Sequence, residues 1–284
     1  MRSKILLSAV AALAAVTSAS AADLGKGKKA PPAPVVSPWE WTVGGGATTN
    51  YIFRGISQSD NKPSVNANAE IRYVINDNYT VYLGGAGSSV KLTNQDTSPS
   101  TEWDVMGGLR TTYGAFTVDI GAVGYLYSKT VNSIFLTTPN WVEVYAKTSY
   151  AVNDSFTVGL NGFFTPSYLD SGSSGQYVAG TAAYKFGDFA LSGEFGRQFL
   201  GRPDATHKLN AGNTISLPDY NYWNAGASYS YKIATLDLRY HDSDLSKTKC
   251  YYITNTTGVA NQSKYCGAAF VGTLSFALTN KDVK

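Results

Sequence analysis

The sequence predicts an all-β fold, a transmembrane antiparallel up-and-down β-barrel of about twelve strands. Three observations predict it. Long segments carry apolar residues at every second position, connections alternate between long and very short, and aromatic residues recur at one level of successive hairpins. Each strand would present one apolar and one polar face, which suits a wall between lipid and water.

The first strand is expected over 40–54. Trp41, Val43, Ala47, Thr49, Tyr51 and Phe53 share one face, while Glu40, Thr42, Thr48, Asn50 and Arg54 share the other. That places Arg54 at the outer mouth, where 56–62 reads as a polar external loop. The second strand, 64–75, sets Val65, Ala67, Ala69, Ile71 and Tyr73 against Asn66, Asn68, Glu70 and Arg72. Asn76, Asp77 and Asn78 form a tight turn, because such side chains tolerate left-handed backbone. The third strand, 79–92, leads into a long polar loop. The fourth, 102–113, opposes Trp103, Val105 and Leu109 to Glu102, Asp104 and Arg110. The fifth, 116–127, follows the Gly114-Ala115 turn and puts Asp119 and Tyr125 on its polar side.

The sixth strand, 141–151, sets Val142, Val144 and Ala146 against Glu143 and Lys147, and the seventh is expected over 156–168. The eighth, 176–186, is ambiguous in face. The ninth, 189–199, sets Phe189, Leu191 and Phe195 against Ser192 and Glu194. The tenth is 220–231. The eleventh carries Leu236, Leu238 and Tyr240 against Asp237, Arg239 and His241, and the last is 267–278. Tyr79, Phe116, Phe156 and Phe189 open strands after short turns, and Tyr73, Tyr113, Tyr150 and Tyr184 or Phe186 close the strands before them. Rings at one level form an interfacial girdle, which a soluble sandwich has no reason to build.

The ends of the chain add a location. Arg2 and Lys4 precede an apolar run over 5–16, and Ala19-Ser20-Ala21 offers a small-x-small cleavage site. Residues 1–21 therefore read as a secretory signal peptide. Residues 22–38, with Lys26, Lys28, Lys29, Pro31, Pro32 and Pro34, read as a flexible periplasmic arm, 39–278 as the barrel and 279–284 as a short tail. Removing Arg2 and Lys4 lowers the formal net charge from +3 to +1, so the basic balance lies in the leader and arm and is no nucleic-acid footprint. Cys250 and Cys266, the only cysteines, share one polar segment of an exported chain and are expected to form a disulfide.

No motif points to catalysis or to a cofactor. Gly44-Gly45-Gly46 lacks the Gly-Lys-Ser/Thr of a phosphate loop and lies in a strand. His207 and His241 are the only histidines, and neither is near an obvious nucleophile. Two thiols with no nearby histidine make no zinc site. The expectation is no enzyme, no catalytic residue, no metal and no cofactor.

The polar faces carry the functional expectation. Asn50, Arg54, Glu70, Arg72, Glu102, Asp104, Arg110, Asp119, Glu143, Lys147, Glu194, Asp237 and Arg239 are the candidate pore-lining residues. Two readings stay open: a charged eyelet that filters solutes, or internal ion pairs that plug and stiffen the barrel. Acids outnumber bases on this face, so a count of charges tilts selectivity towards cations.

The string Asn50-Tyr51-Ile52-Phe53-Arg54-Gly55-Ile56-Ser57-Gln58-Ser59, followed by Pro63, resembles the TorF-type porin family of Gram-negative bacteria. The length, signal and run of hairpins match over nearly the whole mature chain. The resemblance implies an outer-membrane pore for small hydrophilic solutes. Its surroundings would be outer-membrane lipid and lipopolysaccharide, with insertion by the barrel-assembly machinery. The alternative is a non-conducting structural or adhesive surface barrel. Outer-membrane barrels commonly finish on a terminal aromatic residue, whereas here Phe276 is followed by 277–284.

Overall fold

A computed structural model of the chain describes residues 37–92, 99–128, 140–202, 216–254 and 262–283. The expected signal peptide, nearly all of the arm and His207 lie outside the described residues.

Twelve antiparallel strands close into a barrel. The wall consists of β1 (Trp39–Thr48), β4 (Ser64–Val74), β5 (Tyr79–Ser89), β6 (Thr101–Tyr113), β7 (Phe116–Tyr127), β8 (Trp141–Ala151), β9 (Phe156–Thr165), β10 (Gly175–Phe186), β11 (Phe189–Leu200), β12 (Tyr220–Tyr231), β13 (Ala234–Ser243) and β14 (Ala269–Thr279). Each wall strand pairs with its neighbour in the chain. β14 then pairs with β1, from Thr42↔Thr279 to Thr48↔Thr273, so no edge is left unpaired. Two short strands, β2 (Ile52–Phe53) and β3 (Ile56–Ser57), form a separate hairpin. One helix, α1 (Lys247–Thr254), lies in the segment expected to be a polar loop.

The alternation sorts as the period-2 pattern requires. Leu83, Ile120, Leu160, Phe195, Leu238 and Phe270 are exposed on the outside, while polar partners turn inward. In water this apolar belt would be a severe liability. In hydrocarbon it is the solvated face of a closed sheet that pairs its own backbone. Leu160, at mid-strand and 63% exposed, tests this directly. Leu160→Arg is expected to destabilise the barrel in lipid vesicles by roughly 2–4 kcal/mol. Ser149→Arg, directed into the lumen, should cost much less in the same urea-unfolding measurement.

The short turns gather at one end, together with Trp39 and Thr279. The expected ring girdle is there. Trp39 meets Tyr73 at 4.9 Å, Tyr79 meets Tyr113 at 6.0 Å, and Phe186, Phe189 and Tyr229 follow in sequence round the wall. Beyond β14 the chain folds back on the start of β1: Asn280 N–H donates to the Trp41 carbonyl, and Lys281 Nζ lies 3.1 Å from Glu40.

Inside, two rings lean across the middle of the wall. The Tyr82 and Tyr145 hydroxyls bond each other, and Tyr82 also donates to Asp119 at 2.6 Å. Gly121 makes this possible: a Cβ there would lie 2.6 Å from the Tyr145 hydroxyl oxygen.

Three expected strands are shorter than their alternation suggested, and the first is the consequential one. β1 stops at Thr48, not at Arg54. The third expected strand ends at Ser89, and the seventh ends at Thr165, before a single 3-10 turn over Tyr168–Asp170. In each case the strand ends where the chain turns to fill the loop-side mouth.

Candidate functional site

The chain leaves the wall after Thr48 and enters the lumen. Thr48 Oγ1 donates to the Asn50 carbonyl, which bends the backbone inward. β2 and β3 then form a hairpin with a two-residue turn, Arg54-Gly55. Both turn residues have positive φ, 46° and 81°, as a tight I′ turn requires. Gly55 is needed twice over, since a Cβ would also meet the Tyr222 ring at 2.9 Å and Ser243 at 3.1 Å. Arg54 has no such backbone preference, so its side chain must compensate the turn.

It does so by a fully enclosed clamp. The Arg54 guanidinium donates to both Glu143 oxygens, at 2.8 and 2.7 Å, and to Gln198 Oε1 at 3.0 Å. Its Cζ lies 4.3 Å from the Tyr177 ring centroid, 4.6 Å from Phe53 and 4.7 Å from Phe163. Glu143 and Gln198 are 0% exposed. Desolvation alone would lower the Arg54 pKa, but the Glu143 carboxylate outweighs it and raises it. The sequence-based placement of Arg54 at an outer rim is therefore corrected. It lies inside the barrel because a two-residue turn, rather than a continuing strand, follows Phe53.

Asn50 organises the rest of this segment, accepting from Ser57 Oγ at 2.7 Å and Ser59 Oγ at 3.1 Å and donating to Asn61 at 3.1 Å. Tyr51 donates to Glu102 at 2.6 Å. Burial, then the Glu102 charge, hold the Tyr51 phenol well above its usual range, so it stays a donor. Residues 56–62, expected as an external loop, instead pack under the segment that precedes β14. Ser57 N–H donates to the Tyr265 carbonyl at 2.8 Å, Tyr265 Oη donates to Asp60 at 2.9 Å, and Ser243 Oγ donates to the Cys266 carbonyl at 2.9 Å. The Cys250–Cys266 disulfide ties that segment to α1.

Above the hairpin the loop-side end is packed shut among the described residues. Ile56, Tyr125, Trp141, Tyr168, Tyr220 and Ile253 belong to one buried cluster. Tyr125 stacks on Trp141 at 4.5 Å, and Trp141 meets Tyr168 at 5.0 Å. This is a hydrophobic core inside the barrel, not around it.

Asp60 makes the cap's pH response readable. Burial pushes its carboxyl up, but the hydrogen bonds from Lys62 and Tyr265 and the charge of Lys91 outweigh this and hold it below its usual value. A depressed carboxyl stabilises the fold above its unfolded pKa, about 3.9, and that contribution is lost as pH falls through the lower folded value. The protection of amides 57–61, taken as exchange relative to the intrinsic rate at each pH, is expected to stay constant from neutral pH to about pH 4 and to fall below it. Asp60→Asn should show no such acid-limb step.

Beneath the hairpin lies a chamber of about 430 Å³ that reaches the short-turn end, where Thr117, Ser228, Thr235 and Ser275 line it. Of the candidate lining residues, Asn50, Arg54, Arg110, Asp119, Lys147, Glu194, Asp237 and Arg239 face this chamber. Glu102, Asp104 and Glu143 point inward but are sealed under the cap. Glu70 and Arg72 pair with each other at 3.0 Å, towards the short-turn end. Arg110 binds Asp119 at 2.8 Å and Arg239 binds Asp237 at 2.9 Å. His241 stacks on Tyr222, its Nδ1 2.9 Å from the phenol oxygen.

The alternation did not single out Gln198, Tyr177, Phe163 or Tyr265. Tyr125 and Tyr177 were detectable as large rings among inward-facing positions. Nothing local marks Gln198 or Tyr265, whose roles depend on a hairpin far away in sequence.

A family model described as "Bacterial protein of unknown function (Gcw_chp)" matches residues 32–273. No curated protein matches the chain. Solved structures resemble it in fold. A chain described under "Unveiling the Mechanism Behind the in-meso Crystallization of Membrane Proteins" is 8% identical with a TM-score of 0.51, covering 85% of this chain and 84% of that one. An outer membrane channel from Pseudomonas putida F1 is 12% identical with a TM-score of 0.47, covering 88% and 100%. The outer membrane phospholipase A from Escherichia coli is 12% identical with a TM-score of 0.46, covering 83% and 92%.

Proposed function

The chain belongs to the Gcw_chp family of bacterial proteins of unknown function, and from its own lumen we propose that it is an outer-membrane channel for small hydrophilic solutes, held closed at rest. The observation that carries this reading is the polar chamber, which reaches the short-turn end and is covered at the loop end by the β2–β3 hairpin and the buried cluster above it. A barrel with no transport role has little reason to keep a water-accessible space lined by hydroxyls, amides and charges. Passage on this reading requires the hairpin and the cluster packed on it to move. The resemblance of residues 50–59 to TorF-type porins supports a pore in a Gram-negative outer membrane. On this reading the string is the gate itself.

One observation favours a second reading, a non-conducting structural or surface barrel: a cluster of buried aromatic and aliphatic residues fills the loop-side end among the described residues. Liposome swelling separates the two. Wild-type barrels should admit small sugars slowly, and barrels with residues 51–59 replaced by a short glycine linker should admit them rapidly. If the shortened barrel inserts and still excludes them, the non-conducting reading stands.

A further inference from the structure

Charges lining the chamber cancel in pairs, with two exceptions. Arg54 is neutralised by Glu143, Arg110 by Asp119 and Arg239 by Asp237. Lys147 is different. Among the described residues its ammonium has no ion pair, and it rests 4.2 Å from the Tyr145 ring centroid and 5.3 Å from Phe163. Asp119 is its register neighbour on β7, but that carboxylate already accepts from Arg110 and Tyr82. Glu194 is the second exception. It accepts one hydrogen bond, from Tyr177 Oη at 2.5 Å, and among the described residues has no ion pair.

These two groups lie on one side of the chamber wall, on β8 and β11, with only β9 and β10 between them. The intervening wall is polar. Asn161 stands opposite Lys147 in register, and Thr181 stands opposite Glu194. Gly159 leaves room for Thr181, since a Cβ there would lie 2.8 Å from its hydroxyl. The patch thus offers a cation beside an amide, then a hydroxyl beside a carboxylate.

We propose that this patch is a binding site for a small zwitterion of the α-amino-acid class. Its carboxylate would sit on Lys147 and Asn161, and its ammonium on Glu194 and Thr181. A solute with one charge would satisfy one pole and leave the other bare. A zwitterion satisfies both with charge-assisted hydrogen bonds, the stronger kind. The site replaces the cation preference expected from counting charges, because the surplus acids are sealed under the cap or already paired. It rests on the chamber being a space for solutes, not on the hairpin moving.

Saturation-transfer NMR on the purified full chain in detergent tests it, with alanine, lactate and ethylamine as probes. Alanine should bind at least about tenfold more tightly than lactate or ethylamine, a charged hydrogen bond being the difference. Lys147→Gln and Glu194→Gln should each weaken alanine by about tenfold, and Lys147→Arg should retain it. Strand content by circular dichroism checks that each variant is folded. If lactate binds as well as alanine and Glu194→Gln changes nothing, the zwitterion site is refuted in favour of an anion site. If no probe binds, or both variants bind alanine like the wild type, there is no site. Binding without any solute flux would refute the channel and leave this site standing; flux without binding would do the reverse.

Discussion

Arg54→Ala is expected to open the barrel. The substitution strands Glu143, which is 0% exposed and whose two oxygens both accept from that guanidinium. Breaking one side of a buried pair costs roughly 3–5 kcal/mol, because the remaining charge has lost its compensation. Here the loss falls on the hairpin rather than on the wall. The hairpin can leave, whereas the wall strands are held by their own ladders. Single-channel recordings should therefore show long open states in Arg54→Ala where the wild type is mostly closed. The double variant Arg54→Ala/Glu143→Gln should be less perturbed in stability than Arg54→Ala, since no charge is then left unpaired. A closed, wild-type trace from a correctly folded Arg54→Ala barrel would show that the clamp does not hold the gate.

The disulfide should act on the same cap from its other side. Cys250 and Cys266 are separated by 16 residues, and a loop of this size is worth about 3 kcal/mol in the chain-entropy view. The bond holds the segment whose Tyr265 carbonyl accepts from Ser57 N–H and whose Tyr265 hydroxyl donates to Asp60. Cys250→Ser/Cys266→Ser is expected to speed exchange of the Ser57 amide by about two orders of magnitude, the equivalent of that energy. Amides in the middle of β8 and β9 should be unaffected. Equal acceleration everywhere would mean the bond supports the whole barrel and not the cap.

The wall was legible in the sequence because its rule is local. Every residue of β4, from Val65 to Tyr73, announces its side by its neighbours two positions away. The ring girdle follows from the same arithmetic. The cap was not legible for a corresponding reason. Tyr51, Phe53 and Arg54 continue the alternation of β1 by chance, so the pattern extends past the point where the backbone turns. The signal that could have ended the strand is Gly55, which tolerates a left-handed turn, standing just before a run of small polar residues. The pairing of Arg54 with Glu143 spans 89 residues and that of Asp60 with Tyr265 spans 205. No local pattern encodes contacts at that range. Charges were placed on the correct face, but whether each was free, paired or sealed depended on those distant partners.

The join between β1 and β14 has a consequence for the order of assembly. It unites the first and last strands of the wall, and the bonds from Asp60 to Tyr265 and from Asn61 to Lys264 span the same two ends of the chain. Neither set of contacts can form until the intervening hairpins are in place, because contacts so remote in sequence are entropically costly to make early. The inward hairpin is therefore expected to dock late, together with the closing of the wall. Interactions absent from the transition state slow unfolding without speeding folding. The cap is then expected to act as a lock on the finished barrel, lengthening its lifetime more than it changes its rate of formation.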